Sequence, residues 1–222
     1  MPAVEKEAYY THDSIDRVAS AWLGELQALR ERRTSAPTPS QAALLVLDLQ
    51  DYFADPDSHA FVPSLPAIFP RIEALIRLFA TRDQPVLLTR HIDEPDPDAP
   101  MRRWWRDAIR LDEPRSELVE GLETVGGRVL TKSQYDAFFE TDLDEVLRGA
   151  GATQLVLCGV HAHLCCETTA RSAFMRGYEV FVVVDGTATY NEALHRASLL
   201  NLAHGFAVPV LSREILSAWE GT

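Results

Sequence analysis

After residue 41, short and continuously apolar runs alternate with segments of helical periodicity. ALLVLD (43–48), PVLLTR (85–90), RVLTK (128–132), QLVLCGV (154–160), EVFVVVD (179–185) and AVPVL (207–211) read as strands. Several carry no polar alternation, as expected of strands covered on both faces. Between them the spacing of apolar residues predicts helices near 66–81, 141–150, 164–177, 191–204 and 212–219. That alternation predicts an α/β fold built of right-handed βαβ units around a parallel sheet. Ahead of it, Ile15, Val18, Trp22, Leu26 and Leu29 recur at helical spacing, so a helix is expected from 13 to about 33. SAPTPSQ (35–41) is a Pro/Ser connector. Residues 1–40 therefore form a helical extension and linker, and 41–222 the main domain. The stretch 91–126 is the least regular, and such inserts often serve as lids or binding loops.

Composition narrows the class. A chain of 222 residues with 46% apolar residues suffices for one large domain. Its formal charge of −12 argues against nucleic acid and anionic membrane partners, both of which select basic surfaces. No apolar run approaches the roughly 20 residues that cross a bilayer, and the N-terminus lacks the basic start and apolar run of a secretion signal. Three cysteines, two of them adjacent, do not make a disulfide framework, so a reducing, cytoplasmic setting is expected. Of the 21 basic residues only Lys6 and Lys132 are lysine.

In open parallel sheets small ligands bind beyond the carboxyl ends of the strands. Three of those ends carry chemistry: Asp48 after the first strand, Lys132 closing the third, and GVHAHLCC (159–166) after the fourth. Singly, each has an ordinary explanation, a helix cap, a surface lysine or a buried cysteine. Together they place an acid, an amine and a thiol at one edge. Cys165 is expected at the start of a helix, where the backbone dipole and a nearby ammonium favour the thiolate.

The segment 131–185, the run LLVLDLQDYF (44–53) with its Asp-x-Gln, and the order Asp, Lys, Gly-Val-(x)4-Cys resemble the isochorismatase-like (cysteine hydrolase) superfamily over about 42–211. The resemblance implies a three-layer α/β/α, Rossmann-like fold around a six-stranded, mostly parallel sheet. It implies a catalytic triad of Asp48, Lys132 and Cys165. It also implies a cis peptide at Val160–His161, aiming the backbone N–H groups of His161 and Cys165 at a developing oxyanion. The chemistry expected is hydrolysis of a small amide, carbamoyl or ester substrate through a Cys165 acyl-enzyme. The alternative is vinyl-ether hydrolysis releasing pyruvate with Asp48 as general acid, since KSQYDAFFETDL and GVHAHLC also resemble true isochorismatases. Those enzymes carry glycine at the thiol's position and tyrosine where this chain has His161.

Substrate-binding candidates are Arg90, His91, Trp104, Tyr135, Phe138 and His161, with Arg90 and His91 suited to a carboxylate and Trp104 and Trp105 to closing over the site. His163 is expected to be structural. Nicotinamidase-like relatives hold a metal with Asp-x-His after the second strand; here the order is inverted, His91-x-Asp93, and neither metal nor other cofactor is expected. A homodimer or homotetramer is expected, with Trp22 and Leu26 of the first helix as a contact surface.

Overall fold

The computed structural model describes residues 4–32, 36–122 and 127–220. The expected end of the first helix at 33, the connector's first residue at 35 and the insert's last residues, 123–126, lie outside the described residues. Helices α1 (Ile15–Glu25) and α2 (Gln27–Arg30) precede strand β1 (Ala42–Leu47), followed by α3 (Asp51–Ala54), α4 (Leu65–Thr81), β2 (Val86–His91) and α5 (Pro100–Trp105). Next come β3 (Arg128–Lys132), α6 (Leu143–Gly149) and β4 (Gln154–Val160). A π-helical turn, Ala162–Cys166, leads into α7 (Glu167–Met175). Strand β5 (Glu179–Ala188), α8 (Glu192–Gly205), β6 (Val208–Val210) and α9 (Ser212–Glu220) complete the order.

The strands form one sheet in the order β3-β2-β1-β4-β5-β6, every pairing parallel. Helices cover both faces, giving the expected three-layer α/β/α arrangement. All six residues of β1 and all seven of β4 are buried, which is why their sequences lack alternation. The chain winds outward from β1 to β3, then returns to the other side of β1 with β4. The direction of winding therefore switches between β1 and β4, and the crevice beyond their carboxyl ends is where such a fold takes a ligand.

Gly159 makes that crevice possible. Its φ is +113°, and a Cβ there would lie 2.1 Å from the Leu47 carbonyl oxygen. Only glycine lets β4 close on the end of β1 at this level.

Two expectations change. The insert is less irregular than its sequence implied, because Pro100 at its first turn helps start α5. Trp22 and Leu26 are not a free contact surface. They are 5% and 8% exposed and belong to the single core, with Trp22 packed against Tyr9, Tyr10 and His195 of the same chain.

Candidate active site

Asp48 follows β1 with φ 54°, a left-handed conformation that aspartate tolerates better than most residues. Its carboxylate is completely buried. Thr89, one strand over on β2, donates its hydroxyl to Asp48 Oδ1 (2.6 Å) and accepts from the Asp48 amide (3.2 Å). From the end of β3, Lys132 Nζ stands 2.9 Å from Asp48 Oδ2, with no exposed side-chain surface on either partner. The same ammonium donates to the Gln134 carbonyl (2.8 Å) and lies 3.5 Å from Cys165 Sγ. Acid, amine and thiol, 117 residues apart at their extremes by sequence number, meet as expected.

Burial opposes charge on Asp48, but Lys132, His91 and the hydrogen bonds of Cys165 and Lys132 outweigh it and hold the carboxyl below its ordinary value. Burial likewise opposes charge on Lys132, and Asp48 and Cys165 more than restore it, so its pKa lies above 10.5. For Cys165 the outcome reverses the expectation of a favoured thiolate. Burial and the Asp48 charge push its pKa up to about 12, against a smaller opposing effect of Lys132. The residue also sits in the π-helical turn ahead of α7 rather than at a regular helix start. The resting site is thus a neutral thiol beside a carboxylate–ammonium pair.

The Val160–His161 peptide is cis. In the turn that follows, the amides of Leu164 and Cys166 both donate to the His161 carbonyl (3.1 Å each).

Cys165 and the turn around it open on a cleft with about 480 Å³ of empty space, its mouth included. Of the candidates, His91, Tyr135, His161 and Cys165 line it. Three others lie elsewhere. Arg90 turns away and places one guanidinium nitrogen 3.0 Å from both Glu117 oxygens. Trp104 is 69% exposed, and its neighbour Trp105 lines the cleft instead, donating its indole N–H to the Tyr135 hydroxyl (2.7 Å). Phe138 stacks on Tyr178 under the Arg176 guanidinium. His163 pairs with the Thr189 hydroxyl (2.6 Å), the structural part expected of it.

Sequence reading gave no role to Gln50, which donates to the His91 and Ser116 carbonyls and accepts from the His91 amide (3.0, 2.8 and 2.7 Å). It fixes the end of β2 on which His91 sits. Phe53, Leu164 and Tyr190 also line the cleft, as do Tyr52, His59 and Asp107, which hydrogen-bond to one another. Thr89 carried a visible signal, a hydroxyl in a strand otherwise apolar to that point. His91 and Asp93 engage each other (Nε2 to Oδ1, 3.2 Å), and Lys132 Nζ stands 3.4 Å from His91 Nδ1. Among the described residues no group of three His, Cys, Asp or Glu side chains is arranged to hold a metal, and an ammonium against the imidazole disfavours a second cation there.

A family model described as the isochorismatase domain matches residues 42–214. "Nicotinamidase 3" of Arabidopsis thaliana is 38% identical over 182 residues, covering 80% of this chain and 88% of that protein. "Isochorismatase" of Bacillus subtilis is 30% identical over 183 residues, covering 81% of this chain but 58% of that one. The crystal structure of N-carbamoylsarcosine amidase from Thermoplasma acidophilum superposes with a TM-score of 0.68 at 26% identity, covering 78% of this chain and 96% of that one.

Proposed function

Because this chain belongs to the isochorismatase family of hydrolases, we propose that it hydrolyses the C–N bond of a small amide or carbamoyl substrate, or a related ester, with Cys165 as nucleophile. The observation that carries this reading is the Cys165 thiol lying in the cleft beside the buried Asp48–Lys132 pair. Likeness to a nicotinamidase and to an amidase supports the choice of bond.

The resting protonation pattern sets the order of events. A thiol with a pKa near 12 is a poor nucleophile, so its proton moves to Asp48 as sulfur bonds to the carbonyl carbon. Lys132 holds the carboxylate in place and offsets negative charge as it shifts towards sulfur. The oxyanion is received by the backbone N–H groups of His161 and Cys165. Asp48 returns the proton to the departing amine, leaving a thioester on Cys165. Water attacks that thioester, giving one proton to Asp48, which passes it to sulfur as the C–S bond breaks, so that the acid leaves and the thiol re-forms.

Intact-mass spectrometry after brief incubation with pooled small amides and esters tests the reading. The expected result is an acyl adduct on Cys165 and loss of turnover, on the order of a thousandfold or more, in Cys165→Ala.

The KSQYDAFF segment and the Bacillus isochorismatase relative support a second reading, vinyl-ether hydrolysis with Asp48 as general acid. It predicts pyruvate release from isochorismate that survives Cys165→Ala and vanishes in Asp48→Ala. Persistence of activity in Cys165→Ala would decide for it.

A further inference from the structure

We infer that the His161 imidazole determines specificity by hydrogen-bonding an uncharged heteroatom group of the substrate, away from the bond that is cut. This rests on the amide-hydrolase reading and narrows its substrate class.

His161 lines the same cleft as Cys165 and is 3% exposed. Among the described residues neither Nδ1 nor Nε2 has a hydrogen-bond partner, whereas His91 is engaged with Asp93, Tyr52 and His59 with Asp107, and Tyr135 with Trp105. Phe53 meets the His161 ring edge-on at 5.1 Å and Tyr190 lies at 4.6 Å, so aromatic walls hold it in place. A buried polar side chain without a partner is costly unless a ligand completes it.

The ring's charge state follows from its neighbours. Burial, reinforced by the charges of His163, His59, Lys6 and Lys132, keeps it well below the ordinary histidine pKa. A neutral imidazole offers one N–H donor and one acceptor nitrogen. Its natural complements are a hydroxyl, an amide or a ring nitrogen.

The rest of the cleft argues against an anionic substrate. Among the described residues, neither arginine nor lysine lines it. Arg90, the expected carboxylate ligand, is occupied by Glu117, while Asp93 and Asp107 do line it. A free carboxylate would meet two acids, a neutral imidazole and aromatic faces.

The test measures binding in Cys165→Ala protein, so that turnover is not needed. Nicotinamide carries a ring nitrogen and 3-hydroxybenzamide a hydroxyl on its ring, benzamide has neither, and nicotinate replaces the amide with a charged carboxylate. At least one heteroatom probe is expected to bind about tenfold tighter than benzamide and than nicotinate, the worth of one well-made buried hydrogen bond. It should also shift the ¹⁵N resonances of His161, which benzamide should leave in place. His161→Phe, which keeps a ring in the aromatic cage, should bring the heteroatom probe and benzamide to within about twofold; His161→Asn, with a donor and an acceptor, should restore part of the gap. The assignment is overturned if neither heteroatom probe binds better than benzamide, if nicotinate binds best, or if the preference survives in His161→Phe. Should His161→Phe not fold, the ¹⁵N shifts in the protein with native His161 decide. Failure of the amide-hydrolase reading would appear separately, as absent turnover by the unmodified enzyme.

Discussion

Lys132 has no exposed side-chain surface, so its ammonium has exchanged water for Asp48, the Gln134 carbonyl and the Cys165 sulfur. A buried pair of this kind matters most when half of it is removed. Lys132→Met is expected to lower unfolding free energy by roughly 3–5 kcal/mol by stranding the Asp48 charge, and to abolish turnover. Combining it with Asp48→Asn should recover part of the stability and none of the activity. Urea denaturation of the three variants beside a turnover assay checks both statements. The thiol gives a second prediction. With its pKa pushed up to about 12, the iodoacetamide alkylation rate of Cys165 should climb steadily from about pH 7 to pH 10; a plateau there would mean a stabilised thiolate. Asp48 and Lys132 were legible because each is a charged side chain at the end of an apolar strand, and Cys165 because it follows the fourth strand in the Gly-Val-(x)4-Cys order. The direction of the thiol's pKa was not, because helix position and a neighbouring cation are visible in sequence while complete burial beside a carboxylate is not. The same limit separated Trp104 from Trp105: adjacent residues on a helix point about 100° apart, and nothing local says which one faces the cleft.

At the scale of elements, the site depends on how tightly β4 closes against β1. Gly159 pairs with Leu47, and a Cβ at 159 would lie 2.1 Å from one Leu47 backbone atom and 2.6 Å from another. Gly159→Ala therefore cannot be absorbed by a side-chain rotation; the strands must part. The expected cost is roughly 3 kcal/mol or more, combining the φ of +113° with the clash, and the shift carries the Cys165 turn away from Asp48. Thermal melts should show the loss of stability, and a matched loss of turnover in the fraction that remains folded should show the displacement. Strand positions were readable because six apolar runs stand between amphipathic segments. The crossing of the chain from β3 back to β4, which creates the switch point, follows from the fold class rather than from any local pattern. The π-helical turn at Ala162–Cys166 left no periodic trace of its own.

For the whole molecule, the N-terminal extension is part of the core rather than an appendage, and His195 is the joint. The Thr187 hydroxyl donates to the Val183 carbonyl (3.0 Å) and the Thr189 amide donates to the Tyr9 hydroxyl (2.9 Å). With those roles fixed, Tyr9 donates to His195 Nδ1 and His195 Nε2–H donates to Thr187, each at 3.0 Å. Every group is satisfied only while the imidazole is neutral. Burial, helped by the charge of His163, accordingly lowers its pKa from 6.5 to about 3. A folded pKa below the unfolded one means that the unfolded chain takes up the proton first. Stability from this residue is therefore complete above about pH 6.5 and is lost as pH falls towards 3, by roughly 1.4 kcal/mol for each unit. His163, held at about 4 by burial, acts in the same direction over a shorter range. Urea midpoints taken from about pH 7 to pH 4.5 should fall by an amount that includes roughly 2–3 kcal/mol from His195. His195→Gln should start lower at neutral pH, because the relay from Tyr9 to Thr187 is broken, yet lose less on acidification. Equal slopes in the two proteins would mean that the joint between extension and sheet is not held by a neutral His195.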